Sequence, residues 1–379
     1  MTGGGRPCVA FYAPMKAPGH PVPSGDRTVA RLYIAALEKA GFEVVIASDL
    51  RIYDGKGDVS VQAGLRIAAS KEAARLKRAL ADGVRPPSLW FTYHVYHKSP
   101  DLLGPDISAS LGIPYVISEP SYAPKRRTGA WAGFLAASES AISQADRLFV
   151  STAKDEQCIS PLARTDALVR LSPFIDTEGW PEPPRAEEAW INRKRPCRLI
   201  TVAMMRHGDK FSSFVHLSSY LKKLENMEWT LNVVGDGPVR GEVEEIFAPF
   251  GNRVNFVGMI GERAGLAASL AAADLFIWPA VNEAFGMAML EAALMGLPVM
   301  AGDEGGVSEV VLHGKTGFLA KNDGSGDFCQ KTALLIANPL LRNEMGAAAR
   351  RFVLQDRSLD NAAVALHNSL LPLIKKKKR

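Results

Sequence analysis

The amino-acid sequence predicts an α/β chain of two doubly wound domains. Three observations carry this. At 379 residues the chain is long enough for two domains of ordinary size. Short apolar, β-prone segments recur along it with helical patterns between them, the alternation of parallel α/β sheets. A stretch from Trp180 to Pro196, with four prolines among charges and two tryptophans, divides the series like a linker.

In the first half the expected strands are Cys8–Tyr12, Glu43–Ala47, Leu89–Tyr93, Tyr115–Ser118, Arg147–Val150 and Leu168–Leu171. A first helix over Arg27–Ala40 places Ala30, Tyr33, Ile34 and Leu37 at helical spacing and stops at Gly41. A second, over Leu65–Ala81, carries Lys71, Arg75 and Arg78 on one face. In the second half the expected strands are Arg198–Val202, Thr230–Val234, Val254–Val257 and Leu275–Trp278. Pro279 ends the last of these, a polar turn at Asn282-Glu283 follows, and a helix begins at Phe285-Gly286 and stops at Gly296. From Leu341 to Leu371 the chain reads as helical again.

Composition narrows the function classes. The net charge of +5 is carried by the basic end Lys375–Arg379, and the remainder is near neutral. No nucleic-acid footprint is spread over a domain. The tail reads as a solvated end or as a contact for anionic lipid. No apolar run reaches the roughly 18 residues of a membrane span, and the first strand-like segment is too short for a signal-peptide core. Cys8, Cys158, Cys197 and Cys329 are widely spaced with no Cys-x-x-Cys pair, which argues against a zinc site and fits a reducing cytoplasm.

The chemistry-bearing stretch is Leu275 to Phe318. Backbone N–H groups at a helix start lack partners and favour an anion or a hydroxyl-rich ligand, and Gly286 lets it approach closely. Glu283 and Glu291 stand eight positions apart on this strand-loop-helix unit. The series Pro279-x-x-x-Glu283-x-Phe285-Gly286 with Glu291, Gly296-x-Pro298-Val299, Gly305-Gly306-x-x-Glu309 and Gly314-x-x-Gly317-Phe318 resembles the donor-sugar motif of family 4 glycosyltransferases, within the glycosyl transferases group 1. The resemblance implies a retaining enzyme of GT-B fold, with two Rossmann-like domains facing each other across a cleft. It implies an acceptor-side domain over 1–178, a linker over 179–197, a nucleotide-sugar-binding domain over 198–355, and a last helix over 356–379 that crosses back to the first domain.

Residue roles follow from position and from the resemblance. The strand at Arg198–Val202 leads to Arg206 and Lys210, an arginine and lysine suited to a diphosphate; they are four apart here against five in the family. Glu283 and the amides of Phe285, Gly286 and Met287 would hold the sugar, Glu291 the ribose, and Gly258-Met259 the base. Gly25, at the carboxyl end of the first strand, matches the glycine loop facing the donor diphosphate and the acceptor, and reads equally as a structural turn. His94 follows the third strand, as does His97; each reads as a packed loop histidine or as one that binds hydroxyls and passes a proton. The family strand that ends in a histidine ends here in Ser118-Glu119-Pro120, so Glu119 or His94 takes over that hydrogen bonding. A second basic cluster, Lys125-Arg126-Arg127, reads as a solvated face or as an attachment point for an anionic membrane or lipid-linked acceptor.

No Asp-x-Asp pair occurs, so no metal or other cofactor is expected. The expected partners are a nucleotide-sugar donor, a glycan or lipid-linked acceptor and the inner face of an anionic membrane, with no nucleic acid. The leading function is hexosyl transfer in cell-envelope polysaccharide or glycolipid synthesis. A nucleotide-sugar epimerase or hydrolase and a non-catalytic glycan- or nucleotide-binding protein are the alternatives.

Overall fold

The computed structural model describes residues 5–22, 24–81, 86–183 and 195–377. The chain divides into two compact units: Met1–Ser172 with Leu359–Arg379, and Pro173–Ser358.

Unit one holds a parallel sheet of β1 (Cys8–Tyr12), β2 (Glu43–Ser48), β3 (Leu89–Val95), β4 (Tyr115–Pro120), β5 (Arg147–Val150) and β6 (Leu168–Arg170), in the order β2-β1-β3-β4-β5-β6. Its helices are α1 (Gly25–Lys39), α2 (Val59–Ala81), α3 (Gly104–Leu111), α4 (Ala132–Gln144) and α5 (Ala153–Ile159). The interior strands are buried on both faces, which is why they read as apolar runs; Trp90, Phe91, Ile117 and Leu148 are fully enclosed.

Unit two repeats the architecture with β7 (Cys197–Val202), β8 (Trp229–Val234), β9 (Val254–Gly258), β10 (Leu275–Trp278), β11 (Val299–Gly302) and β12 (Gly317–Ala320). Their order is β12-β11-β10-β7-β8-β9, the dinucleotide-fold order in which the first and fourth strands are neighbours. The helices are α6 (Asp209–Lys223), α7 (Arg240–Phe247), α8 (Arg263–Ala271), α9 (Met287–Leu294), α10 (Asp327–Ala337) and α11 (Pro339–Asp356). Leu199, Leu231, Phe276, Ile277 and Met300 form the centre of its core. Each side chain of this size contributes about 1.5–3 kcal/mol by leaving water.

The helix α12 (Leu359–Lys377) returns to unit one and lies on α1. His367 Nδ1 is 2.8 Å from Ala40 O, and Lys39 pairs with Asp360 at 2.5 Å. The stretch from Leu341 to Leu371, read as helical, comprises two helices, α11 and α12. The break has a cause: Ile175 N–H donates to Arg357 O at 2.8 Å and Ile175 bridges Ser358, drawing that backbone out of the helix.

Other boundaries shift for local reasons. α1 starts at Gly25 because Ser24 Oγ caps the Arg27 amide at 3.2 Å. α2 starts at Val59, six residues before the expected Leu65, because Asp58 Oδ1 accepts from the Ser60 and Val61 amides at 2.8 and 3.2 Å. Its first turn carries exposed Val59 and Val61, β-branched residues that weaken a helical reading. α9 starts at Met287, with Gly286 in the left-handed region (φ 72°) as its cap. Of the expected 179–197 linker, 184–194 lie outside the described residues, while Cys197 already belongs to β7 and Arg195 pairs with Asp274 at 2.6 Å.

Candidate active site

A parallel α/β sheet binds ligands beyond the carboxyl ends of its strands, where the strand order reverses. In unit two that point lies between β7 and β10. The loop after β7 leads into α6, whose first turn carries Lys210, and the loop after β10 carries Glu283. The Lys210 ammonium pairs with Glu283 Oε2, and the Trp278 indole N–H donates to the same oxygen at 3.2 Å. Lys210 also lies over the Trp278 ring, 5.5 Å from its centroid. The Glu283 side chain is 13 % exposed and that of Lys210 35 %, so the pair borders solvent on the lysine side.

The loop around Glu283 is firmly tied. Val281 N–H donates to Ser213 Oγ at 3.0 Å, and the Asn282 amide side chain donates to Asp209 Oδ2 at 2.9 Å, both bonds reaching α6. Asn282 N–H donates to Glu304 Oε2 at 3.0 Å, and Gly306 N–H to Ala284 O at 2.7 Å. Ala280 and Asn282 both have positive φ, 56° and 48°, a strain held by this network. Gly305 (φ 58°) has to be glycine, because a Cβ there would overlap the Glu283 carbonyl oxygen.

The other unit-two residues singled out in the sequence lie on its neighbouring loops and helices. Arg206 is exposed in the loop after β7, and no described residue forms a side-chain hydrogen bond or ion pair with it. Phe285, Gly286 and Met287 form the approach to α9. Glu291, about one turn into the helix, is half-buried; burial pushes its carboxyl up to about 7, against the opposing charge of Arg263. Gly258 ends β9 with φ 82°, and Gly235 N–H donates to its carbonyl at 2.8 Å. Met259 beside it is 73 % exposed.

In unit one the reversal lies between β1 and β3. The loop after β1 leads to Gly25 and Asp26 at the start of α1, and β3 ends at His94 and Val95. Gly25 is exposed and a Cβ there would meet nothing within 4 Å, so no close approach within this chain demands a glycine. His94 Nδ1–H donates to Asp26 Oδ1 at 3.0 Å. Burial works against the charges of both groups, but their contact outweighs it: the Asp26 carboxyl is held below its ordinary range and the His94 imidazole above. Burial pushes Glu119, at the end of β4, up to about 7; the His94 charge opposes this, while those of Asp26 and Asp155 add to it. His94 and Glu119 both have positive φ, 61° and 51°.

Sequence reasoning missed Asp26, Asp155 and Trp278. Asp26 stood beside a singled-out residue, but nothing in the sequence ties it to His94, 68 positions away. Trp278 was visible only as the end of an apolar strand.

Among the described residues no group of three or more His, Cys, Asp or Glu side chains is placed to hold a metal ion. No helix of the described residues is long and apolar enough to cross a membrane.

Two parallel six-stranded sheets, each with its helices, define the class of fold. Sucrose-phosphate synthase from Thermosynechococcus elongatus superposes with a TM-score of 0.74 at 18 % identity, over 98 % of this chain and 100 % of that one. HepE from Anabaena, in complex with UDP-glucose, gives 0.68 at 15 % identity, over 96 % and 99 %. The fold is GT-B. Residues 196–338 match the glycosyl transferases group 1 family model. D-rhamnosyltransferase WbpZ from Pseudomonas aeruginosa is 29 % identical over 179 residues, 46 % of this chain and 45 % of the relative, so the chain spans less than half of that relative's length. These findings bear out the resemblance read from the sequence at the level of group 1 glycosyl transferases with the GT-B fold.

Proposed function

We propose that this protein is a retaining, metal-independent hexosyltransferase of family 4, acting on a nucleoside-diphosphate sugar. Its acceptor is a glycan or a lipid-linked saccharide in cell-envelope polysaccharide or glycolipid synthesis, met in the cytoplasm at the inner face of the membrane. The observation that carries this is the contact of Lys210 with Glu283 at the switch point of unit two. The likeness to D-rhamnosyltransferase WbpZ, and to HepE solved with UDP-glucose, supports it.

In this reading Arg206 and Lys210 take the donor diphosphate, Lys210 exchanging part of its contact with Glu283 for a phosphate oxygen. Glu283 and the backbone at Phe285, Gly286 and Met287 hold the sugar hydroxyls. Glu291 accepts from the ribose, and the backbone at Gly258 and Met259 meets the base. The bond between the anomeric carbon and the diphosphate breaks, and its electron pair leaves with the nucleoside diphosphate. Positive charge on the departing phosphates is the main catalytic contribution. The acceptor oxygen bonds to the anomeric carbon, and its proton passes to the departing diphosphate oxygen. Glu119, its carboxyl pushed up to about 7 by burial, and the His94–Asp26 pair position that hydroxyl.

The test is nucleoside diphosphate release from a panel of UDP- and GDP-sugars, with and without envelope lipid extract. One donor whose turnover rises with extract is the expected result. Release that is independent of any acceptor would make the protein a hydrolase. No release, together with no thermal stabilisation by UDP or GDP, would overturn the enzyme reading.

A further inference from the structure

Unit one carries a cluster of cations that the donor chemistry does not use. It lies beyond the carboxyl ends of β3 and β4, on the loop Tyr96–Ser99 and the single 3₁₀ turn Pro124–Arg126. Both loops are held rather than loose. Tyr96 and Ser99 exchange backbone hydrogen bonds at 3.2 and 2.9 Å, buried Ser99 Oγ donates to Ile52 O at 2.6 Å, and Ser121 N–H donates to Val95 O at 2.8 Å.

Trp131 is the centre of the cluster. The Arg126 guanidinium lies 4.7 Å from its ring centroid and the Lys98 ammonium 5.6 Å, while His97 meets it edge-on at 5.8 Å. The surrounding cations are already satisfied: Arg127 pairs with Glu139 at 3.2 Å and Arg66 donates to Gly133 O at 2.7 Å. Lys98, Lys125 and Arg126 have no carboxylate partner among the described residues. Buried Arg126 Nε and His97 Nε2 have no hydrogen-bond partner there. The His97 imidazole is pushed down to about 4, by burial first and then by the charges of Lys98, Arg126 and Lys125. Like charges held together without a counterion repel, and an anion among them removes that cost.

We propose that Lys98 and Arg126, both set against the Trp131 ring, together with Lys125 on the same 3₁₀ turn as Arg126, form a phosphate-binding site for the acceptor substrate. Calling the ligand an acceptor rests on the glycosyltransferase reading; the anion site itself does not. The cluster connects to the reaction side of the sheet through contiguous rings. His94 stacks on Tyr96 at 4.9 Å, Tyr96 meets His97 at 5.4 Å, and His97 meets Trp131. An acceptor with its phosphate on Arg126 would run its saccharide along these rings, which suit the apolar faces of sugars, and present a hydroxyl to His94. Arginine and lysine match phosphate oxygens by charge-assisted hydrogen bonds, and a His97 tautomer with its proton on Nε2 would add one more donor.

The phosphate can come from a soluble ester or from a lipid head group, and the experiment separates them. In the ¹⁵N-labelled full chain, the Trp131 indole resonance is assigned by its loss in Trp131→Phe and followed during titration with glycerol 3-phosphate. In parallel, co-sedimentation is measured with phosphatidylcholine vesicles with and without phosphatidylglycerol. A saturable shift of the Trp131 resonance shows a soluble ester reaching the site. Sedimentation that requires phosphatidylglycerol, without that shift, assigns the head group. In either case Lys98→Ala/Arg126→Ala is expected to weaken binding roughly tenfold or more, while keeping the thermal stabilisation by UDP or GDP that shows an intact fold. Binding of neither probe, or binding by the double variant within about twofold of the parent, would overturn the proposal. A Trp131 response without nucleotide stabilisation would leave this site standing and count against the donor assignment instead.

Discussion

In unit one the strand order reverses between β1 and β3, and the side chains that meet there are Asp26 and His94; in unit two it reverses between β7 and β10, and Lys210 meets Glu283. Each pair joins the first turn of a helix to the loop or end of a neighbouring strand. Their charge surroundings differ. Around His94 stand three carboxylates, Asp26, Glu119 and Asp155, each in electrostatic reach of it. Glu283 is in contact with Lys210 and an indole N–H, Asp209 and Glu304 are bonded to the neighbouring Asn282, and exposed Arg206 lies in the loop after β7. A diphosphate carries several negative charges, so the carboxylates around His94 disfavour it, and the proposed reading assigns it to Lys210 and Arg206 of unit two. In the proposed reading, the same topology would divide donor and acceptor between the units by the charges placed at these two points.

The sharpest way to break that division is by substitution at both points. Glu283→Gln removes a charge that holds both Lys210 and the loop after β10, and is expected to lower donor turnover roughly 10²–10³-fold, with circular dichroism unchanged. His94→Gln is expected to lower transfer less and to leave donor affinity alone. A larger fall from His94→Gln, or a loss of UDP or GDP affinity with it, would reverse the assignment of the two units.

A smaller effect tests the pair in unit one. Asp26 raises the His94 pKa, so Asp26→Asn should move the His94 titration, followed by its ring proton resonances, to lower pH. The sign for stability follows. A histidine raised above 6.5 by a partner stabilises the fold fully below that value, and the contribution is lost as pH rises through the folded pKa. Asp26→Asn should therefore destabilise most at acid pH, short of the range where Asp26 itself protonates. An unmoved His94 titration would dissolve the pair.

Glu291 offers the smallest effect and a contrast with Glu119, since both carboxyls stand near 7 but Glu119 has further acids beside it. With an unperturbed value of 4.5, Glu291 binds a proton in the folded chain across the window from 4.5 to about 7, so stability falls as pH climbs through it. Glu291→Gln should raise stability by roughly 1–2 kcal/mol at pH 8 and leave it unchanged below pH 4.5, read as Tm against pH.

Much of the fold was legible because buried parallel strands announce themselves as apolar runs bounded by turns. Cys8–Tyr12, Arg147–Val150 and Leu275–Trp278 are strands over the ranges read from sequence. β11 and β12 were not read as strands; each has only four residues, and β12 begins with a glycine. The start of α2 was hidden because its cap, Asp58, precedes β-branched residues that do not look helical. At the candidate site, Glu283 and Lys210 were legible through the resemblance and through their places after strands. Their direct contact was not, because 73 residues separate them and only the adjacency of β7 and β10 brings them together. The Asp26–His94 pair was hidden for the same reason, through β1 and β3.

Calorimetric titration of UDP and GDP into the full chain, with EDTA present throughout, tests the central claim most directly. The parent protein is expected to bind one of the two without added metal. Arg206→Ala/Lys210→Ala, folded by circular dichroism, should bind it at least about 100-fold more weakly, since two charge-assisted contacts to phosphate are removed. Undiminished binding by the double variant would contradict the account, as would binding by the parent that appears only when a divalent cation is supplied.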